Sequence, residues 1–232
     1  MLIWLPVPIL AITLTLLLRA EGRTPRDERQ VKVWKPLSTV LVILVAALSF
    51  ARPSAYDTTY TVLILGGLAL SLAGDVLLID RANPKAFVAG LVAFLSAHLI
   101  YIAAFLRVQS SLGLGANVPG EVVTAIGLGL IATMVYRYLR PGLGQMRVPV
   151  IAYMLVISIM VYRALAVVLV HTGPPAQAAF IALGALLFYL SDAILGINRF
   201  RFNGQLPNGH ILNLSTYYAG QLLIALSASF FT

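Results

Sequence analysis

Apolar runs of about 20 residues, the length a helix needs to cross a hydrocarbon core, recur along this chain from beginning to end, with only short charged or Pro/Gly-bearing breaks between them. In lipid such a segment must satisfy every backbone N–H and C=O internally, which restricts it to helix. The runs place eight spans, at Leu2 to Leu18, Val31 to Phe50, Thr59 to Ile79, Phe87 to Leu106, Gly120 to Leu139, Val148 to Val170, Gln177 to Ile197 and Ile211 to Phe231. Every connection is short. The expectation is therefore one all-α integral membrane domain over residues 1–232, a polytopic bundle of eight transmembrane helices. Composition agrees, since 60% of the residues are hydrophobic and 10% charged, whereas a soluble domain carries about 25% charged residues.

A net charge of +8 raises the question of nucleic acid, but the Lys and Arg are confined to short loops between spans, so they read as topology signals and no nucleic-acid partner is expected. The first connection and its flanks hold Arg19, Arg23, Arg26, Arg29, Lys32 and Lys35; the third holds Arg81 and Lys85, the fifth Arg137, Arg140 and Arg147, the seventh Arg199 and Arg201. The opposite face has only Arg52 and Arg107, and Arg163 lies within the sixth span. The positive-inside rule then puts both termini outside the cytoplasm, as for a multi-pass protein of a bacterial inner membrane. The first span has its basic residues after the apolar run, the reverse of a secretory signal, and is expected to persist as a helix. With no cysteine, disulfides, thiol nucleophiles and thiolate metal sites are excluded.

The halves of the chain resemble each other. A shift of 117 residues lays Gly67, Leu70, Asp75 and Leu78 on Gly184, Leu187, Asp192 and Leu195, and a shift of 119 lays Gly90, Leu95 and Ser96 on Gly209, Leu214 and Ser215. A duplicated four-helix unit in parallel orientation would explain both.

Ionisable groups inside a bilayer are costly and usually face the bundle interior, so each is a site candidate. Asp75, in Gly74-Asp75-Val76, and Asp192, in Ser191-Asp192-Ala193, occupy matching depths on the third and seventh spans. At about 1.5 Å per residue each carboxyl is expected roughly one turn inside the boundary. Two carboxyls in a low-dielectric cleft cannot both ionise cheaply, which leaves an acid beside a base. Lys35, Tyr153, Asn213 and Tyr217 are expected at the same level, where they could seat a lipid headgroup, with Lys35 on its phosphate. His98, Tyr101 and Arg163 are expected deeper, and Gln221 near mid-depth. No Gly-rich phosphate loop, His-Glu-x-x-His pair or Gly-x-Ser-x-Gly turn occurs, and His98, His171 and His210 lack ligand spacing, so neither a metal nor a cofactor is expected.

Several pieces in order carry a family resemblance: Lys35-Pro36-Leu37-Ser38-Thr39; Gly74-Asp75-Val76-Leu77-Leu78; Phe87 with Gly90-Leu91, Phe94, His98 and Tyr101; Tyr153 with Met160 and Ala164; Gly184-Ala185 with Phe188 and Ser191-Asp192; Arg199-Phe200; and Tyr218-Ala219-Gly220-Gln221-Leu222. Together they resemble the YhhN-like membrane lysoplasmalogenases. The resemblance implies hydrolysis of the vinyl ether bond of a lysophospholipid, a lysoplasmalogen, to a fatty aldehyde and glycerophospho-choline or glycerophospho-ethanolamine. It implies Asp75 and Asp192 as the catalytic pair. Lys35, Ser38, His98, Tyr101, Tyr153, Asn213, Tyr217 and Gln221 become the expected substrate-binding set. Acid and base suffice for that cleavage, as paired carboxylates do in glycosidases. A proton-coupled transporter using Asp75 and Asp192 is the alternative, although no span has a mid-membrane Gly/Pro break. An intramembrane aspartyl protease ranks last, because Leu72 stands where that family has the first glycine of Gly-x-Gly-Asp.

Overall fold

The computed structural model describes residues 2–51, 57–111, 117–170 and 175–230. Arg52 and His171 lie outside them. The described residues form eight long helices: α1 (Pro6–Glu21), α2 (Glu28–Ala47), α3 (Thr58–Leu77), α4 (Pro84–Ser111), α5 (Val118–Leu139), α6 (Arg147–Val170), α7 (Pro175–Arg201) and α8 (Gly209–Ser227). Their starts follow local chemistry. Asp27, Asp57 and Asn117 cap α2, α3 and α5 by accepting from backbone N–H groups of the first turn, and Pro6 opens α1 where no intrahelical donor is required.

Two boundaries differ instructively from the apolar runs. Helices α4 and α7 extend past their hydrophobic segments, α7 as far as Arg201, because backbone hydrogen bonding continues where hydropathy ends. That extension carries Asn198 and Arg199 to the loop end of the bundle. Seven helices are long and apolar enough to cross a membrane, and α8 falls outside that set. The expected eighth span is thus a 19-residue helix whose Asn213, Tyr217, Tyr218 and Gln221 lower its hydropathy. Tyr217, Tyr218 and Gln221 are nonetheless buried within the bundle.

Sequential helices pair as α1 with α2, α3 with α4, α5 with α6 and α7 with α8, and further contacts join α2 to α3, α6 to α7, α4 to α6 and α2 to α8. Advancing every helix by four maps that set onto itself. Helices α7 and α8 approach backbone to backbone, where a Cβ on Gly220 would lie 2.8 Å from the Gly184 carbonyl oxygen. Only hydrogen fits at such a crossing. Helix α5 is peripheral: it buries Leu128 and Leu139 and turns Val123, Leu130 and Met134 outward, each at least 62% exposed. Apolar surface on that scale requires lipid around it. The protein is an integral multi-pass membrane protein.

The odd-numbered connections converge at one end. Glu21 pairs with Arg26 (3.0 Å) and with Arg81, Arg26 donates to the Ile79 carbonyl at 3.1 Å, Arg199 donates to the Arg81 carbonyl at 3.1 Å, and Arg201 lies over the Tyr138 ring. At the other end Arg107 pairs with Asp57 at 2.7 Å.

Candidate active site

Asp75, on α3, is 1% exposed. Its Oδ2 accepts from Thr39 (2.6 Å) on α2 and from the Tyr217 hydroxyl (2.7 Å) on α8. Its Oδ1 faces Lys35 Nζ at 3.3 Å, and the same ammonium donates to the Asp75 carbonyl. Tyr218 completes the cluster by donating to the Lys35 carbonyl at 2.8 Å. A carboxylate with a buried cation and two hydroxyl donors is compensated on both oxygens.

Asp192, on α7, is partnered differently. Its Oδ2 accepts from the Tyr153 hydroxyl on α6 at 2.5 Å and lies 3.5 Å from Nε2 of His98 on α4. His98 Nδ1 is hydrogen-bonded to the Phe94 carbonyl, which can only accept, so in a neutral ring the proton sits on Nδ1 and Nε2 presents a lone pair. Nε2 has no other partner among the described residues. At that distance a carboxyl and an imidazole can share one proton, which makes the two a candidate acid–base couple.

Three positions of the two clusters correspond. Asp75 and Asp192 are 117 apart, Lys35 and Tyr153 118, His98 and Tyr217 119, so each aspartate draws its partners from equivalent helices. Among the described residues no hydrogen bond joins the two carboxyls; an aromatic wall touches both clusters instead. Phe188 packs on Tyr217 (centroids 5.4 Å apart) and on His98 (4.8 Å), and Phe94 packs on Phe188 and Tyr217. Asp75 thus has a cation and two hydroxyl donors, whereas Asp192 has a tyrosine and an imidazole.

Exposure separates them further. The Asp192 side chain is 12% exposed and lines a narrow, mostly apolar cavity of about 60 Å³ with Tyr153, Tyr189, Leu91, Phe87 and Leu139. A second cavity of about 400 Å³ lies at the loop end, where Lys35 and Asn213 meet Glu21, Arg26, Arg81 and Arg199. Phe87 and Leu195 line both.

The remaining sequence-predicted residues fall into two groups. Asn213 clasps α7 by donating to the Ser191 carbonyl (2.9 Å) and hydroxyl (2.8 Å), one residue before Asp192. Tyr101 donates to Gln221 at 2.9 Å in a fully buried α4–α8 link that lines neither cavity. Ser38 turns toward α1 and donates to Thr13, and Arg163 lies over the Tyr162 ring; neither reaches an aspartate. Glu21, Arg81 and Arg199 do border the site, although they resemble interfacial charges in sequence. The signal available was that Glu21 is a lone acid closing an otherwise apolar run.

The family model of YhhN matches residues 30–228. The chain belongs to the YhhN family. It is 39% identical over 170 residues to human lysoplasmalogenase TMEM86B, covering 73% of this chain and 64% of that protein. With the mouse lysoplasmalogenase TMEM86B it shares 34% identity over 226 residues, 97% of this chain and 86% of the relative. A lysoplasmalogenase of Mycobacterium tuberculosis is 32% identical over 162 residues, 69% of this chain and 57% of the relative. No solved structure matches this YhhN-family chain.

Proposed function

We propose that this protein is a lysoplasmalogenase-type hydrolase that cleaves the vinyl ether of a 1-alkenyl lysophospholipid to a fatty aldehyde and a glycerophospho-alcohol. The observation that carries this reading is the Asp192–His98–Tyr153 cluster on a narrow apolar cavity. A hydrocarbon chain suits such a lining, and a protonatable pair at its wall can reach an alkene.

The proton held by Asp192 and His98 goes to the outer alkene carbon, and the alkene electrons form that C–H bond. The ether oxygen's lone pair stabilises the resulting oxocarbenium ion. Water then adds to the cationic carbon and returns a proton to the Asp192–His98 pair. The hemiacetal collapses: its hydroxyl loses a proton, the carbon–oxygen bond to glycerol breaks, and the glycerol oxygen takes up a proton. One water is consumed and the pair is restored. Tyr153 fixes the Asp192 carboxyl, while Asp75 acts as a positioning residue that holds Lys35 and Tyr217.

Purified protein in detergent is expected to release aldehyde from 1-alkenyl lysophospholipid, followed with a coupled dehydrogenase. In D2O the aldehyde should carry one deuterium on the carbon next to its carbonyl, the mark of carbon protonation. Asp192→Asn should lower kcat by about 10²–10⁴-fold, the usual contribution of a general acid. Full activity in that variant, at unchanged melting temperature, would remove the basis of the reading.

A further inference from the structure

We propose that the loop-end cavity is the seat of the lysolipid phosphodiester, with Arg199 and Arg81 as its anion-binding groups; this rests on the lipid-hydrolase reading and assigns the headgroup a site. The cavity, about 400 Å³, is walled by the first and third connections, the end of α7 and the start of α8.

Charge balance points to an anion. Glu21 is a single carboxylate shared by two guanidinium groups, Arg26 and Arg81. Asp80 also lines the cavity but stands exposed at its mouth, accepting from the Ala82 N–H. Lys35 is neutralised by Asp75 behind the wall. Three guanidinium groups thus face two carboxylates. The surplus is one positive charge, which matches the single charge of a phosphodiester.

Arg199 is the group with capacity to spare. Its Nη1 donates to the Arg81 carbonyl and its face covers the Phe87 ring at 4.8 Å, yet no carboxylate lies within ion-pair distance among the described residues. Stacking fixes the plane of the guanidinium and leaves its other N–H donors for a planar, two-point grip on phosphate oxygens. Burial draws the neighbouring Arg81 below the ordinary guanidinium range, with Glu21 opposing that shift and Arg26 adding to it. An arriving anion relieves the same strain.

Continuity with the reacting site follows from Phe87 and Leu195, which line both cavities. A lysolipid with its phosphate on Arg199 would pass its glycerol across Phe87 and lead its chain toward Asp192. A choline or ethanolamine cation would emerge beside Asp80.

The test is equilibrium binding, so it does not depend on cleavage. Wild-type protein in micelles is titrated with a 1-O-alkyl lysophosphatidylcholine, whose saturated ether cannot be cleaved by alkene protonation, and with the 1-O-alkylglycerol of the same chain. The phospholipid is expected to bind at least about tenfold more tightly, the scale of charge-assisted phosphate contacts. Arg199→Gln should reduce that preference to a few-fold, and Arg199→Lys should restore part of it. Equal binding of the two ligands by wild type, a result that needs no variant to fold, overturns the proposal. An unchanged preference in a folded Arg199→Gln protein does the same. Glycerophosphocholine should displace the bound ether lipid more effectively than inorganic phosphate; equal displacement would mean a site for free phosphate and would defeat the headgroup assignment. Tight, Arg199-dependent binding without aldehyde release from the vinyl ether would uphold this site while removing the proposed reaction.

Discussion

At the residue scale the informative contrast is between two aspartates that look alike in sequence. Asp75 has Lys35 at 3.3 Å and two hydroxyl donors; Asp192 has a tyrosine and an imidazole lone pair. The ion pair at Asp75 is buried on both sides, with side chains 9% and 2% exposed. Removing one member of such a pair strands the other, at a cost of about 3–5 kcal/mol, whereas removing both charges together is far milder. Lys35→Met should therefore lower stability by about that amount in unfolding from mixed micelles. Lys35→Met with Asp75→Asn should recover most of the loss, since Asn still accepts from Thr39 and Tyr217. If the double variant is as unstable as the single, compensation is not what Lys35 provides. Both aspartates were legible in the sequence because a charge in an apolar run is conspicuous. Their separate partner sets were not, because partnership depends on helix neighbours that hydropathy does not specify. Arg81 and Arg199 were hidden for another reason: near a span end, a headgroup-binding arginine and a snorkelling one look the same.

At the element scale, glycine marks where helices touch, and its position decides what a methyl group does. A Cβ on Gly220 would meet the Gly184 oxygen at 2.8 Å and the Phe188 nitrogen at 3.0 Å, both backbone atoms that cannot rotate away. Gly220→Ala should destabilise by about 1–3 kcal/mol through overpacking and loosen the α7–α8 clasp at Ser191 and Asn213. Gly127, on peripheral α5, has nothing within 4 Å of the same position. Gly127→Ala should be neutral or stabilising by up to about 1 kcal/mol from helix propensity alone. Thermal unfolding of the two variants side by side separates packing from propensity; a matching loss in both would refute the packing account. Helix starts add a pH-dependent contribution. Burial pushes the Asp57 carboxyl up, but the hydrogen bond from Arg107 and the Tyr60 N–H outweigh it and hold the group below the ordinary carboxylate range. Its contribution is thus fully present at neutral pH and fades as pH falls through the depressed folded value. Asp57→Ala should cost about 1 kcal/mol at pH 7, and the gap to wild type should close in strongly acidic buffer. A gap that persists there would assign the effect to something other than the carboxylate's charge.

At the scale of the whole molecule, the repeat suggested by Gly67/Gly184 and Asp75/Asp192 extends into three dimensions. Helix contacts map onto themselves when each helix advances by four, and Lys35/Tyr153 and His98/Tyr217 fall on equivalent positions around their aspartates. The arrangement is two similar half-sites: Asp192 lines the apolar cavity, and Lys35, beside Asp75, lines the loop-end cavity. The eight-helix count was legible because hydropathy reports span number well. The weaker hydropathy of α8 is not conspicuous among the apolar runs, because its polar face is turned inward, toward Asp75 and Tyr101. Orientation remains a physical consequence of charge. The loop end that holds Arg26, Arg81, Arg140 and Arg199 also holds the proposed headgroup cavity, so the positive-inside rule predicts substrate drawn from the cytoplasmic leaflet. The absence of native cysteine makes any introduced thiol unique. Gln205, exposed in the α7–α8 connection, and Val118, 60% exposed at the start of α5, mark opposite ends. In intact cells a membrane-impermeant maleimide should label Val118→Cys and spare Gln205→Cys until the membrane is permeabilised. Labelling of Gln205→Cys alone in intact cells would invert the topology and move the proposed headgroup cavity to the outer leaflet. The chemistry assigned to Asp192 would be untouched, because it depends on the apolar cavity and not on which side of the membrane the arginines face.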